Sequence, residues 1–390
     1  MAKRLLYAIT ALTILASTAV ALGKTFGADP FAVSAARSSG ANGPSGSSAI
    51  SGDNRVVRYV AFHSFASNLV PGDTNGKLDV FVYTRATRTL ERVSVSSRGQ
   101  QANGASADPA LDGSVQRAPH CVAFQSQATN LSPADPTPDW DIFVRDLRSG
   151  KTRLVSGGVA GAAVDPAISG DCRQVAFTTG GRVYIGNGLT GGRAHFAARG
   201  TNPDLARDGS ALTWERGHAV WLRRHGVTSR VAAVGGNPHV SDGGASQNWA
   251  VVFDTPLALT PGDSGSTGDV YLRTFGVHGG PRHTLLVSAH SGRSLGGDSH
   301  NGGVTAYAWP RGIVIFTNTS GSETTLWYMN LHTGNIDDLA HAQASDGSPA
   351  IVDVATSARA NYAVFSSQDS FAGDTNGPTQ DVFLKFVGGK

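Results

Sequence analysis

A three-residue motif that recurs seven times along the chain constrains its fold more than any other feature. Each copy places an aromatic residue after two residues that are small or apolar, or a threonine in one copy. The copies are Val60-Ala61-Phe62, Val122-Ala123-Phe124, Val175-Ala176-Phe177, Leu212-Thr213-Trp214, Val251-Val252-Phe253, Val314-Ile315-Phe316 and Ala363-Val364-Phe365. A repeat of this kind indicates equivalent supersecondary units stacked on one another.

A second motif precedes each aromatic motif by about ten to sixteen residues. It consists of a polar residue, a second position that is usually proline, a third position of any type, and an aliphatic residue. The polar residues that open it are Ser47, Asp108, Asp165, Asn202, Asn237, Asn301 and Ser348. Both motifs keep the same order in all seven units, so the units share one internal structure.

Each unit continues with two further strand-like segments, such as 79–82 and 92–95 in the first unit. Asp-Gly or Gly-Asp pairs, typical of tight β-turns, separate the first two strands of several units. Helix formers are scarce, since the chain has only three glutamates, six lysines and two methionines beside 49 glycines. Four-stranded units repeated around an axis form a β-propeller. We therefore predict an all-β protein with seven four-stranded blades, or six if one weak unit is a loop.

The two ends of the chain predict how the ring closes. The last unit ends after its third strand, near residues 381–386, while the segment 31–34 near the start resembles the fourth strand of the first unit. The N-terminal strand can thus complete the C-terminal blade, which removes an exposed sheet edge. We expect residues 22–390 to form a single propeller domain.

The best copy of the repeat, residues 141–152, resembles the WD40-like repeat of TolB-type β-propellers. The resemblance extends from Phe31 to Lys390. It implies an exported propeller. It does not imply one activity, because that family includes envelope scaffolds, ligand binders and the propeller halves of serine peptidases.

The N-terminal segment has the pattern of a signal peptide. Lys3 and Arg4 precede an apolar run over residues 5–22, and Ala19-Val20-Ala21 fits a cleavage site. We expect residues 1–21 to be removed and the protein to be secreted or held in the cell envelope without stable membrane insertion. The alternative is an uncleaved anchor.

The chain that remains after removal of residues 1–21 has a net charge of about +1. This low charge argues against a nucleic-acid partner. We expect the protein to be a monomer.

The polar residues that open the second motif form the candidate ligand site. Inner strands of a propeller surround the axial channel, so Ser47, Asp108, Asp165, Asn202, Asn237, Asn301 and Ser348 are predicted to ring its mouth. Such a ring suits a cation, a sugar or a peptide end. The alternative is structural, because Asp, Asn and Ser also favour turns. His239 is predicted to lie beside the ring, as a ligand or base, or simply as a solvated histidine.

Two acidic loops are candidate calcium sites. Asp73, Asn75 and Asp79 in the first unit, and Asp374, Asn376 and Asp381 in the last, place several oxygen ligands within a few residues. The closing glutamate of a complete calcium loop is absent from both loops. Alternatively, these side chains cap long hairpins through local hydrogen bonds.

The only two cysteines, Cys121 and Cys172, precede the second strands of adjacent units. In an exported chain this arrangement favours a disulfide between two blades. Two buried free thiols are the alternative, since strands in different blades can lie too far apart for a bridge.

The segment 262–265, Gly-Asp-Ser-Gly, matches the sequence around a trypsin-like nucleophile, but it occupies the repeat position of residues 72–75. Repeat structure therefore explains it, and no Gly-x-Ser-x-Gly elbow followed by the strand and helix patterns of an α/β-hydrolase is present. The sequence favours a non-catalytic binding or scaffold protein that recognises a protein, a small molecule or a glycan. The competing interpretation is a lactonase-like or glycan-cleaving propeller that uses the mouth carboxylates with calcium.

Overall fold

The computed structural model describes residues 30–35, 40–53, 57–135, 137–243, 248–263, 265, 267–277, 280–306, 312–344, 348–371 and 379–387. The regular structure in these residues consists of β-strands, and seven of the sheets have four antiparallel strands each. The predictions of an all-β fold and of seven blades are confirmed. Within the described part of the chain, no helix is long and apolar enough to cross a membrane.

Six of the blades are built from four consecutive strands. Their bounds are β2 (Ser45–Ile50), β3 (Tyr59–Ser64), β4 (Asp79–Thr84) and β5 (Thr89–Arg92) in blade 1; β6 (Ser106–Leu111), β7 (Cys121–Ser126), β8 (Asp141–Asp146) and β9 (Lys151–Leu154) in blade 2; β10 (Val164–Ile168), β11 (Val175–Thr179), β12 (Arg182–Gly186) and β13 (His195–Arg199) in blade 3; β14 (Thr201–Leu205), β15 (Ala211–Arg216), β16 (Ala219–Arg224) and β17 (Val227–Ala232) in blade 4; β18 (Gly236–Val240), β19 (Trp249–Thr255), β20 (Asp269–Phe275) and β21 (Pro281–Leu286) in blade 5; and β24 (Asp298–Val304), β25 (Ile313–Ser320), β26 (Glu323–Asn330) and β27 (Ile336–Gln343) in blade 6. A short hairpin, β22 (Ala289–His290) with β23 (Arg293–Ser294), follows blade 5.

The seventh blade joins the two ends of the chain. Its strands are β28 (Ile351–Thr356), β29 (Tyr362–Ser367), β30 (Asp381–Phe386) and, at the outer edge, β1 (Phe31–Ala32). Strand β1 pairs antiparallel with β30, with Phe31 opposite Leu384. The predicted closure of the ring by the N-terminal strand is confirmed.

The core lies between neighbouring blades and is organised around the aromatic motif. Its seven aromatic residues are all buried, from 0% to 5% exposed: Phe62, Phe124, Phe177, Trp214, Phe253, Phe316 and Phe365. In five blades this ring stacks on an aromatic residue of the third strand, as Phe62 does on Phe81 with centroids 5.9 Å apart. One cluster packs Val80 and Val82 of blade 1 against Val122 and Phe124 of blade 2. Burial at these interfaces fixes each blade against the next and positions the inner strands around the axis.

Candidate ligand-binding channel

The inner strands of the seven blades surround a cavity of about 590 Å³. Six of the seven residues predicted to ring the mouth lie in its wall: Ser47, Asp108, Asp165, Asn202, Asn237 and Asn301. The prediction for Ser348 is wrong. Ser348 is exposed and precedes β28, whereas Asp353 within that strand lines the cavity. The Ser-Pro pair at residues 348 and 349 imitates the motif of the other units five residues too early in the chain.

A β-bulge explains why these wall positions carry Asp, Asn or Ser. Each inner strand has a register shift where two residues oppose one, between Gly46 and Ala49 in blade 1 and between Val352 and Ala355 in blade 7. Six wall residues have a positive φ of 46° to 55° at this point: Ser47, Asp108, Asp165, Asn202, Asn237 and Asp353. Asp and Asn tolerate this conformation better than other non-glycine residues. The bulge aims seven polar side chains along one level of the channel, and we refer to Ser47, Asp108, Asp165, Asn202, Asn237, Asn301 and Asp353 as the mouth ring.

The mouth ring is braced by side chains from the second strand of the preceding blade. The backbone N–H of Asp108, Asp165, Asn237 and Asn301 donates to His63, Gln125, Glu215 and Asp254 respectively, at 3.5, 3.1, 2.8 and 2.8 Å. Glu215 also accepts a hydrogen bond of 2.8 Å from the side chain of Asn202, so one carboxylate joins two blades. These bracing residues were not among the predicted site residues, although the position after the aromatic motif is polar in every unit.

The channel wall carries more negative than positive charge. Asp108, Asp165, Asp204 and Asp353 line the cavity, and Arg207 is the one lysine or arginine among the described lining residues. Burial raises the pKa of Asp165, and the nearby charges of Asp108 and Glu215 raise it further. Mutual repulsion of this kind is relieved by a cation that enters the cavity.

Three histidines face carboxylates around the channel. The Nδ1 atoms of His63, His239 and His300 lie 3.8, 3.7 and 3.3 Å from carboxylate oxygens of Asp108, Asp204 and Asp254 respectively. Burial acts to lower the pKa of His239, but contact with Asp204 and the charges of Asp204 and Asp254 outweigh it and leave the pKa raised. His239 therefore stands in the cavity wall, as predicted from its motif, and its ring has a carboxylate neighbour.

The opposite end of the channel is held together by backbone hydrogen bonds between the turns that follow the inner strands. The N–H groups of Gly52, Gly113, Gly170, Asp242 and Ala306 donate to the carbonyl oxygens of Asp112, Gly170, Arg207, Ala306 and Ala358 at 3.2, 3.1, 2.7, 2.7 and 3.0 Å. Each of these bonds runs from one blade to the next. Burial and the charge of Asp208 raise the pKa of Asp242 at this end to about 7.

The first acidic loop contains its own cation. Arg92 Nη1 lies 2.8 Å from Asp73 Oδ1 and 3.6 Å from Asp79 Oδ2. The side-chain amide of Asn75 donates a hydrogen bond of 2.7 Å to Asp79, and its oxygen accepts a hydrogen bond from the N–H of Lys77. This arrangement does not fit calcium, which needs oxygens, rather than a guanidinium and an amide N–H, facing one point. In the second loop, Asp374 and Asn376 lie outside the described residues.

The aspartate that ends each long loop has a structural partner. Asp79, Asp141, Asp269 and Asp381 accept short hydrogen bonds, 2.5 to 2.6 Å long, from the hydroxyls of Ser94, Ser156, Ser288 and Ser34 respectively. The same serine hydroxyl accepts the backbone N–H of the residue after the aspartate. These contacts tie the third strand of a blade to the segment after its fourth strand, or after β1 in blade 7.

Cys121 and Cys172 are joined by a disulfide, with their Cα atoms 6.0 Å apart. The bridge connects the second strand of blade 2 to a turn of blade 3. Asp112 and His120 lie beside it, and these four residues form the one group of three or more potential metal ligands among the described residues. The two sulfur atoms are bonded to each other, so they are not available as thiolate ligands.

Comparison with known proteins supports the fold and goes no further. No protein-family description matches the chain, and no curated protein is similar to it. Among solved structures, an oligogalacturonate lyase in complex with manganese aligns with a TM-score of 0.54 and 10% identity, over 94% of this chain and 98% of that one. TolB from Acinetobacter baumannii aligns with a TM-score of 0.43 and 13% identity, over 80% and 77%. The propeller fold implied by the TolB-like repeat is confirmed, and identities this low show the fold alone.

Proposed function

We propose that this protein is a non-catalytic binding module that takes a positively charged ligand into the mouth of its channel. The observation that carries the proposal is the charge of the wall: Asp108, Asp165, Asp204 and Asp353 face a cavity in which Arg207 is the one lysine or arginine among the described lining residues. A concave site with low-dielectric walls concentrates the field of such carboxylates and attracts cations.

The face that carries the mouth ring also offers apolar contacts to a ligand. Phe65 and Leu257 follow the second strands of blades 1 and 5, which end on that face, and their side chains are 60% and 42% exposed. An amine or guanidinium on a peptide chain or a small molecule would meet the carboxylates, while its apolar portion rests on these side chains. A cavity of about 590 Å³ accommodates one extended chain or small molecule rather than a folded domain.

Calorimetric titration of the purified protein tests the proposal, with trilysine as the probe and triglutamate as the matched anionic control. We expect trilysine to bind, triglutamate not to bind, and the affinity for trilysine to fall as salt is added. Asp108→Asn and Asp165→Asn should each weaken trilysine binding several-fold. Asp139→Asn, at an exposed loop position, is the control variant. Equal binding of both peptides, or full affinity in the Asp108 and Asp165 variants, would contradict the proposal.

The competing function is a lyase or another glycan-cleaving activity, suggested by the similarity in fold to an oligogalacturonate lyase. Two observations disfavour it. A polyuronate carries one carboxylate per sugar, which the acidic wall would repel. The three histidines of the channel also face separate carboxylates on different blades, instead of converging on one point as metal ligands would. Incubation with oligogalacturonate and manganese, followed by ultraviolet absorbance of an unsaturated product, decides between the two functions.

We also propose that the protein acts outside the cytoplasm. The signal-peptide pattern of residues 1–21 supports export, and the disulfide between Cys121 and Cys172 is the kind of bond that persists in an oxidising compartment. Cell fractionation followed by N-terminal sequencing tests this. A mature N-terminus close to residue 22 in an extracytoplasmic fraction is expected, and an intact Met1 in the cytoplasm would contradict it.

A further inference from the structure

Arg207 crosses the channel at the end opposite the mouth ring. It belongs to the turn after β14 of blade 4, yet its Nη1 donates a hydrogen bond of 3.4 Å to the carbonyl oxygen of Gly113 in blade 2. Its guanidinium also lies against Gly52 of blade 1, where an added Cβ would stand 2.7 Å from Arg207 Cζ. Blade 1 lies three positions from blade 4 in the seven-bladed ring, so the side chain of Arg207 reaches across the channel. The cavity wall includes this side chain.

The guanidinium of Arg207 forms no ion pair with a carboxylate among the described residues. No carboxylate oxygen of the described residues comes within 4.0 Å of its guanidinium. Four carboxylates act on it from further away, those of Asp242, Asp204, Asp112 and Asp53. Three of them face other cationic groups, in the pairs Asp53 with Arg58 at 3.3 Å, Asp112 with His120 at 3.0 Å and Asp204 with His239 at 3.7 Å.

The fourth carboxylate, that of Asp242, accepts the backbone N–H of Asp208 at 2.9 Å. Apart from the bond to Gly113, the Arg207 guanidinium donates no hydrogen bond among the described residues, and its side chain forms part of the cavity wall. Arg presents several N–H donors in a planar fork that matches a carboxylate, and a pair of this kind is strong where water is excluded.

We propose that Arg207 binds the carboxylate of a zwitterionic, peptide-like ligand whose cationic end lies at the mouth ring. This inference rests on the proposed function and adds a second subsite to it. Asn202 of the mouth ring and Arg207 are five residues apart in sequence, which at ~3.3 Å per residue separates the two levels by at most roughly 16 Å. An extended peptide spans at most about 3.3 to 3.6 Å per residue. The ligand is therefore a chain of about four residues that enters with its C-terminus first.

The test compares two forms of one peptide, Lys-Gly-Gly-Gly with a free carboxylate and Lys-Gly-Gly-Gly with a C-terminal amide. Both carry the same cationic end, and the amide lacks the anionic one. Calorimetric titration of the wild-type protein should show the free acid binding about tenfold more tightly. In Arg207→Gln the two forms should bind equally. In Arg216→Gln, an exposed control on the neighbouring strand β15, the tenfold preference should persist.

The outcomes separate this inference from the proposed function. If the wild-type protein binds the amide and the free acid equally, the Arg207 subsite is wrong and the cationic site stands. If it binds neither form of this peptide but binds trilysine, the Arg207 subsite is wrong and the cationic site stands, and if it binds none of the three, both are wrong. Should Arg207→Gln fail to fold, as judged by its thermal melt, Arg207→Lys replaces it. That variant keeps the charge and loses the planar fork, so it should retain only part of the preference, and an unchanged preference would overturn the role of the guanidinium.

Discussion

The hydroxyl of Ser34 donates a hydrogen bond of 2.6 Å to Asp381 Oδ1, although 347 residues separate the two in sequence. Both are buried. Ser34 Oγ also accepts the N–H of Val382 at 2.9 Å, the same pair of contacts that Ser94 makes with Asp79 and Val80 inside blade 1. The ring is thus closed by the same serine–aspartate contact that occurs within blade 1. In blade 7 the serine comes from the opposite end of the chain.

Loss of this contact should destabilise the whole ring. Ser34→Ala leaves the buried carboxylate of Asp381 without one of its donors, so we expect the free energy of unfolding to fall by ~1–3 kcal/mol. Chemical denaturation measures this, with the exposed Ser149→Ala as the control. Deletion of residues 31–34 should lower the free energy of unfolding further, because it also removes the strand that pairs with the edge of β30. If the variant that lacks residues 31–34 had the same melting temperature as the wild type, closure of the ring by the N-terminal strand would be wrong.

The disulfide should make a large contribution to stability. It closes a loop of 51 residues. Because the bridge restricts the unfolded chain, a loop of this length is expected to raise the free energy of unfolding by about 4 kcal/mol. The double variant Cys121→Ala, Cys172→Ala should therefore unfold at a clearly lower denaturant concentration. Mass spectrometry of the purified protein under non-reducing conditions should find the two cysteine peptides linked. Two cysteines that alkylate freely in the folded protein would contradict this bond.

The titration of the Asp242 carboxyl should lower the free energy of unfolding as the pH rises from about 4 to about 7. Burial and the charge of Asp208 raise its pKa to about 7 in the folded state, against ~3.9 in an unfolded chain. Over this range the folded state holds a proton that the unfolded state has released, which favours folding at the acidic end. Above pH 7 that advantage, roughly 4 kcal/mol at 1.36 kcal/mol per pH unit, is lost.

Thermal melts of Asp242→Asn between pH 5 and pH 8 measure this effect. Asn keeps an oxygen that can accept the N–H of Asp208 and does not titrate, so the variant should lose most of the pH dependence and gain relative stability at pH 8. The exposed Asp139→Asn should behave as the wild type does. Parallel pH profiles for Asp242→Asn and the wild type would show that this carboxyl titrates normally.

Arg92 should make the first acidic loop independent of calcium. Its guanidinium lies between Asp73 and Asp79, so the melting temperature of the wild-type protein should not depend on calcium through this loop. Arg92→Gln leaves the two carboxylates without a cation, and this variant should melt at a lower temperature that millimolar calcium partly restores. The exposed Arg98→Gln is the control. A calcium-dependent rise in the wild type that disappears in Asp73→Ala would reinstate a calcium site here.

The repeat predicted four-stranded blades and the closure of the ring, and it favoured seven blades over six. These features follow from local rules: apolar strand motifs such as Val60-Ala61-Phe62, turn pairs such as Asp112-Gly113, and a missing fourth strand after Phe386 that the segment near Phe31 supplies. Because such patterns act within one unit or between neighbouring units, they can be read without coordinates.

The composition of the channel wall depends on contacts that form only in the folded ring. The bulge of blade 7 lies at Asp353 and not at Ser348, in a blade that packs against blades 6 and 1. The bracing by Glu215 and the crossing of the channel by Arg207 depend on side chains that meet only after the ring has closed. Asn75 likewise offered an oxygen ligand in the sequence, but in the structure its oxygen accepts the N–H of Lys77 and its amide nitrogen donates to Asp79. Contacts between distant segments of a chain depend on the complete geometry of the fold, and a repeat pattern does not contain that information.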